Sequence, residues 1–106
     1  VTTIGKWEIV DKGVKRKIHQ PGKQLMMMEV EFEAGGIGVE HSHPHEQYTY
    51  CLSGKFEFKV AGETIVLTKG ETLYIPGEAI HSCLALEDGS LLDTFTPLRE
   101  DLLDFS

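Results

Sequence analysis

The chain has 106 residues, 41% of them hydrophobic, and carries a formal charge of −7. That length fits one domain, taken as residues 1–106, and the hydrophobic share excludes a disordered chain. The acidic balance argues against nucleic acid as a partner, and no apolar run approaches the ~20 residues of a membrane span. With no signal-peptide pattern at the start, a soluble cytoplasmic protein is expected, bound to neither membrane nor nucleic acid. Cys51 and Cys83 make no disulfide framework and are read as free thiols.

Charge is unevenly spread. Residues 1–25 carry six Lys or Arg against two acids; residues 26–106 carry four against fifteen. The first basic stretch, "KGVKRK" (12–17), reads as a solvated edge strand whose lysines discourage aggregation. Next, "MEVEFE" puts Met28, Val30 and Phe32 on one face and three glutamates on the other. Period 2 with one wet face is the pattern of antiparallel sheet.

"HSHPHEQ" (41–47) follows. In an extended segment His41, His43 and Gln47 share parity and project from one face, while Pro44 bends the chain and turns His45 away. Histidines at i and i+2 suit one metal ion. His81, after the Pro76-Gly77 turn, offers a third nitrogen, and His19, beside Pro21-Gly22, reads as exposed. Three imidazoles and the Gln47 amide oxygen form a four-ligand set with room for water or substrate. Zn, Ni, Mn and Fe(II) all accept imidazole, so the ligands imply one divalent transition metal without choosing it.

"KFEFKV" (55–60), Thr64–Leu67, Leu73–Ile75, Ala79–Leu86 and Leu91–Thr96 are the later strands. "VAGETI" and "LEDGSLL" read as hairpins, with Gly62 and Gly89 at positive φ. Many short strands between turns suggest a sandwich or barrel. His81, Cys83 and Ala85 share one face, and Leu91, Asp93 and Phe95 another; both are expected to point inward. An inward Asp is costly unless it has a partner or a task. Arg99 is available either to anchor a ligand carboxylate or to pair with Asp93. The tail "PLREDLLDF" (97–105) has a plausible helical turn, with Pro97 in its first turn.

Two stretches carry a family resemblance. Gly35-x5-His41-x-His43-x3-Gln47-x6-Gly54 resembles the first cupin motif, with Gln47 where Glu is usual. Gly70-x5-Pro76-x4-His81 resembles the second, with Glu78 in place of the usual Gly and Ala85 in place of the usual Asn. The resemblance spans about residues 25–96 and implies an all-β fold: a small antiparallel β-barrel or jelly roll, a metal in its mouth, and a homodimer. Combined with Asp-x-Phe-x-x-x-Arg at 93–99, the chain is similar to the KdgF-type pectin-degradation cupins. That family opens the ring of 4,5-unsaturated monouronates, small anionic sugars from pectin or alginate, to linear ketones. The resemblance carries the metal ligands onto His41, His43, Gln47 and His81, and the active-site residues onto Asp93, Phe95 and Arg99. The chemistry of that ring opening makes Asp93 the candidate for proton transfer, Arg99 for orienting the carboxylate and Phe95 for packing on the sugar.

Two other readings compete. A cupin dioxygenase using Fe(II) would favour an electron-rich metal, and the neutral Gln47 speaks against it. A sugar- or metal-binding module without turnover leaves an inward Asp93 without a purpose.

Overall fold

The alternation of Met28, Val30 and Phe32 with glutamates becomes a strand with one buried face, as the sequence predicts. The computed structural model describes residues 3–103. These form ten strands: β1 (Trp7–Asp11), β2 (Val14–Ile18), β3 (Met26–Phe32), β4 (Ile37–His41), β5 (Glu46–Ser53), β6 (Lys55–Val60), β7 (Glu63–Thr68), β8 (Thr72–Ile75), β9 (His81–Ala85) and β10 (Gly89–Thr96). They build two antiparallel sheets, ordered β1-β2-β3-β10-β5-β8 and β4-β9-β6-β7. The expected all-β jelly-roll class is met. No helix long and apolar enough to cross a membrane occurs among the described residues.

The apolar core lies between the sheets. Met28, Val30, Leu91 and Phe95 come from the six-stranded sheet, and Phe56 and Phe58 from the other. Phe32 and Phe56 meet edge to face at 5.1 Å, the geometry aromatic quadrupoles prefer. β6 and β7 are joined by a two-residue turn in which Ala61 has φ +49° and Gly62 φ +85°, as a type I′ hairpin requires.

Two expectations are corrected. The basic strand is not an edge: β2 lies between β1 and β3, and β1 takes the edge. "LEDGSLL" is not a hairpin, because β9 and β10 belong to different sheets. Gly89 is needed there for close approach, since a Cβ would lie 2.3 Å from the Ser53 carbonyl oxygen. Of the expected helical turn, the tail keeps two successive tight turns: Leu102 N–H donates to the Arg99 carbonyl at 2.9 Å and Leu103 N–H to that of Glu100 at 3.2 Å. Asp104 and Phe105, the end of the predicted helical stretch, lie outside the described residues.

Candidate metal centre and active site

His41 ends β4 and pairs in register with His81, which opens β9. Cross-strand partners stand close together, and these two rings have centroids 4.3 Å apart. His43 comes from loop 42–45, its ring 5.4 Å from that of His41 and 5.0 Å from that of His81. The loop is held from behind: Glu78 N–H donates to the His43 carbonyl at 2.7 Å. Gly77 packs so tightly that a Cβ would sit 2.6 Å from the Pro44 carbonyl oxygen. Glu78 itself has φ +70°, a left-handed conformation that suits the glycine usual at this motif position. One ligand atom from each of His41, His43 and His81 lies within 4.8 Å of the others.

Each ring is oriented through its Nδ1. His41 Nδ1 donates to the Val39 carbonyl at 2.8 Å, His81 Nδ1 to the Ala79 carbonyl at 2.8 Å, and His43 Nδ1 to the His45 carbonyl at 3.1 Å. A carbonyl only accepts, so each neutral imidazole carries its proton on Nδ1 and its lone pair on Nε2. His81 Nε2 is buried and has no hydrogen-bond partner among the described residues. Burial, reinforced by the charge of Arg99, lowers the His43 pKa from 6.5 to about 4. Burial lowers that of His81 as well. His43 and His81 are therefore held in the neutral form that coordinates metal.

Gln47 approaches from the other sheet, on β5. Its Nε2 donates to Thr49 Oγ1 at 2.9 Å, and the Thr49 hydroxyl donates to Asp93 Oδ1 at 2.7 Å. An ionised carboxylate only accepts, so this chain fixes the amide and turns Gln47 Oε1 toward His43 Nε2, 3.0 Å away. Two acceptors facing each other at that distance repel unless a cation satisfies both. With the orphan nitrogen of His81, they make a set of three neutral imidazoles and one amide oxygen that fits a divalent transition metal.

The sequence expectation placed His41, His43 and Gln47 on one face of one extended segment. Instead the chain leaves the four-stranded sheet after His41, bends through Pro44 and His45, and enters the six-stranded sheet at Glu46. The side chains converge across the gap between sheets. His45 diverges as expected and donates through Nε2 to the Leu98 carbonyl at 3.0 Å. His19, expected to be exposed, is half-buried and bonds Glu29 Oε1 at 2.8 Å.

A cavity of about 250 Å³ opens beside this cluster, lined among others by His41, Gln47, His81, Asp93, Phe95 and Arg99. Asp93 points inward and is 8% exposed. Burial raises its pKa from 3.8 to about 6, against the opposing hydrogen bonds of Thr49 and Gln47 and the charge of Arg99. The Asp93–Arg99 pair, one of the two readings of Arg99, does not form. Arg99 instead holds Asp101 bidentately, Nε to Oδ1 at 2.9 Å and Nη2 to Oδ2 at 2.7 Å. Its guanidinium also lies 5.1 Å from the Phe95 ring centroid. Phe95 is 1% exposed and meets the His43 ring edge to face at 5.8 Å, so its ring is engaged mainly by His43 and Arg99. Cys83 lines the cavity, and burial together with Asp93 pushes its thiol up to about 12. Burial also raises Cys51; both are free, inert thiols.

Sequence reading missed Thr49 and Asp101. Thr49 was detectable by parity: two positions after an inward Gln47, it must point inward too. Asp101 lies in a turn with no period to place it.

The sequence matches the cupin domain family, Cupin_2, over residues 28–94. The chain belongs to the cupin family. This cupin is 40% identical over 99 residues to the pectin degradation protein KdgF of Dickeya dadantii (strain 3937), covering 92% of this chain and 90% of that one. It superposes on KdgF from Halomonas sp. with a TM-score of 0.87 and 36% identity, over 92% of this chain and 91% of that one. An RmlC-like cupin from Shewanella frigidimarina NCIMB 400 is similar at TM-score 0.88 and 32% identity, over 96% and 95% of the two chains.

Proposed function

We propose that this cupin is a divalent-metal-dependent enzyme that isomerises a 4,5-unsaturated monouronate to its linear ketone by opening the ring. The observation that carries the reading is the hydrogen-bonded chain from Gln47 through Thr49 to Asp93, which leaves Gln47 Oε1 facing the lone pair of His43 Nε2. It ties a metal-ligand set to one buried, proton-exchanging carboxylate beside a small cavity. Likeness to two KdgF proteins, one described as a pectin degradation protein, supports the substrate class. The cavity, at about 250 Å³, is below the ~300–1,000 Å³ common for drug-sized ligands and suits a single sugar ring.

The reaction moves one proton within the substrate. The C1 hydroxyl loses its proton as the C1–O5 bond breaks, giving an aldehyde at C1 and an enolate across O5, C5 and C4. C4 then gains a proton and C5 becomes a ketone, so atoms and charge balance. His41, His43, His81 and Gln47 would hold the ion, which supplies Lewis-acid stabilisation of negative charge on the substrate's oxygens. All four ligands are neutral, so none reduces the ion's charge.

Asp93 takes up the C1 hydroxyl proton and can deliver one to C4. A carboxyl with a pKa of about 6 exchanges protons readily near neutrality. Thr49 occupies Oδ1, and Oδ2 keeps a lone pair for the ligand. Arg99 retains both protons of Nη1 and orients the substrate carboxylate, while Phe95 supports Arg99 and keeps water from the floor. Asp93→Asn tests this directly: it is expected to keep the bound ion and lose at least a hundredfold in rate. Unchanged turnover in that variant would remove Asp93 from the reaction.

A further inference from the structure

Strand β2 carries three consecutive basic residues, and they do not face the same way. Lys15 and Lys17 point outward, their Nζ atoms 5.2 and 5.1 Å from the Trp7 ring centroid. They also pair with Glu31 at 3.8 Å and Glu29 at 3.9 Å. Arg16 has the parity of the buried Val14 and Ile18 and lines the same cavity as His41, Gln47, His81 and Asp93. A guanidinium on an inward sheet face is costly unless it has oxygens to bind. Glu8, its register partner on β1, accepts from Nε at 3.1 Å. That single bond anchors the side chain, which is 22% exposed. Nη1 and Nη2 make no hydrogen bond among the described residues.

Register places Arg16 relative to the proposed chemistry. Arg16 is opposite Val30, and Val30 is opposite Leu91, two residues before Asp93 on β10. Arg16 is thus two strand spacings from Asp93, roughly 10 Å, and offset by roughly 7 Å along the strand. A long side chain reaching back across that span leaves room for one sugar ring between the two residues. A guanidinium donates and never accepts, so what it meets there must be oxygen. In the reaction above, the substrate carboxylate is already engaged by Arg99.

We propose that Arg16 is a specificity residue whose free Nη groups bind hydroxyl oxygens of a monosaccharide acid, on the side of the ring remote from the metal centre. This rests on the sugar-acid reading of the site, though not on turnover. Glu8 orients the guanidinium from outside the cavity lining. A hydroxylated ring is thereby favoured over an equally sized acid without hydroxyls.

The test measures equilibrium binding of galacturonate and of cyclohexanecarboxylate, a hydroxyl-free ring acid, to the metal-loaded full chain. Arg16→Met is expected to weaken galacturonate about tenfold, ~1.4 kcal/mol, and to leave cyclohexanecarboxylate within twofold. Lys15→Met, which removes the same charge from the outward face, should leave both within twofold. Arg16→Lys should recover part of the galacturonate affinity. Equal weakening of both acids by Arg16→Met would show that Arg16 reads the carboxylate, and overturn the proposal. So would unchanged binding with a lowered melting temperature, which would make the Glu8–Arg16 pair structural, or a wild type that binds no galacturonate. Galacturonate binding that depends on Arg16, without ring opening of the unsaturated sugar, would sink the proposed reaction and leave this subsite standing.

Discussion

The hydroxyl of Thr49 donates to Oδ1 of Asp93 at 2.7 Å. Thr49 is wholly buried, so this hydroxyl has no water to fall back on. By accepting from Gln47 Nε2 at 2.9 Å, it decides which end of that amide faces the histidines.

Removing the hydroxyl while keeping the shape should therefore act on the metal. Thr49→Val leaves the Gln47 amide and an Asp93 oxygen without partners, a loss of about 2 kcal/mol in stability. It also frees the amide to turn, and metal affinity is expected to fall ten- to a hundredfold, as for other partners that orient a ligand. Thr49→Ser restores both hydrogen bonds and should restore the affinity. Chelator competition reads this without any turnover. Equal affinity in the Val and Ser variants would contradict the orienting role.

Asp93 makes a stability prediction with a defined sign. Its folded pKa is raised from 3.8 to about 6, so folding favours the protonated form. The associated stability is fully present below about pH 4 and is lost as pH rises through 6. In chelator-treated protein, wild type should lose about 2 kcal/mol relative to Asp93→Asn across that window, read from urea midpoints at pH 4 and pH 8. A constant difference would show that the carboxylate is not buried as described.

His43 titrates in the opposite sense. Its pKa is lowered from 6.5 to about 4, so the neutral ligand form is favoured by folding, and that stabilisation is lost as pH falls through 4. Protons should compete poorly for the site, and a bound ion is expected to stay in place below pH 5. Release followed with a colorimetric chelator checks this. Half-release near pH 6.5 would mean that the site does not depress His43.

Gly77 links the second motif to the first. A Cβ there would sit 2.6 Å from the Pro44 carbonyl oxygen and 3.3 Å from its carbon, and backbone cannot rotate away as a side chain can. Gly77→Ala should cost about 1–3 kcal/mol and move His43. Metal affinity and melting temperature are expected to drop together. A normal affinity would show that the loop tolerates displacement.

Much of this fold was legible because alternation is a local signal. Met28, Val30 and Phe32, or Phe56 and Phe58, announce a half-buried strand without reference to anything distant. The clustering of His41, His43 and His81 was legible for a related reason, since few structural tasks place two histidines at i and i+2 with a third behind a Pro-Gly turn. What the sequence did not reveal depends on which sheet each strand joins. Parity put His41 and Gln47 on one strand, whereas the chain changes sheets between them. Gly89 read as a turn residue but makes a close approach between segments. Arg16 was grouped with its lysine neighbours, although alternation alone turns it inward.

The most direct test follows ultraviolet absorbance of the conjugated C4=C5 bond of an unsaturated galacturonate while a divalent ion is returned to chelator-stripped protein. Ring opening should be at the spontaneous rate without the ion and rise in proportion to it, levelling at one equivalent per chain. A wild type that never exceeds the spontaneous rate when loaded, or one whose acceleration survives complete removal of the ion, would contradict the account.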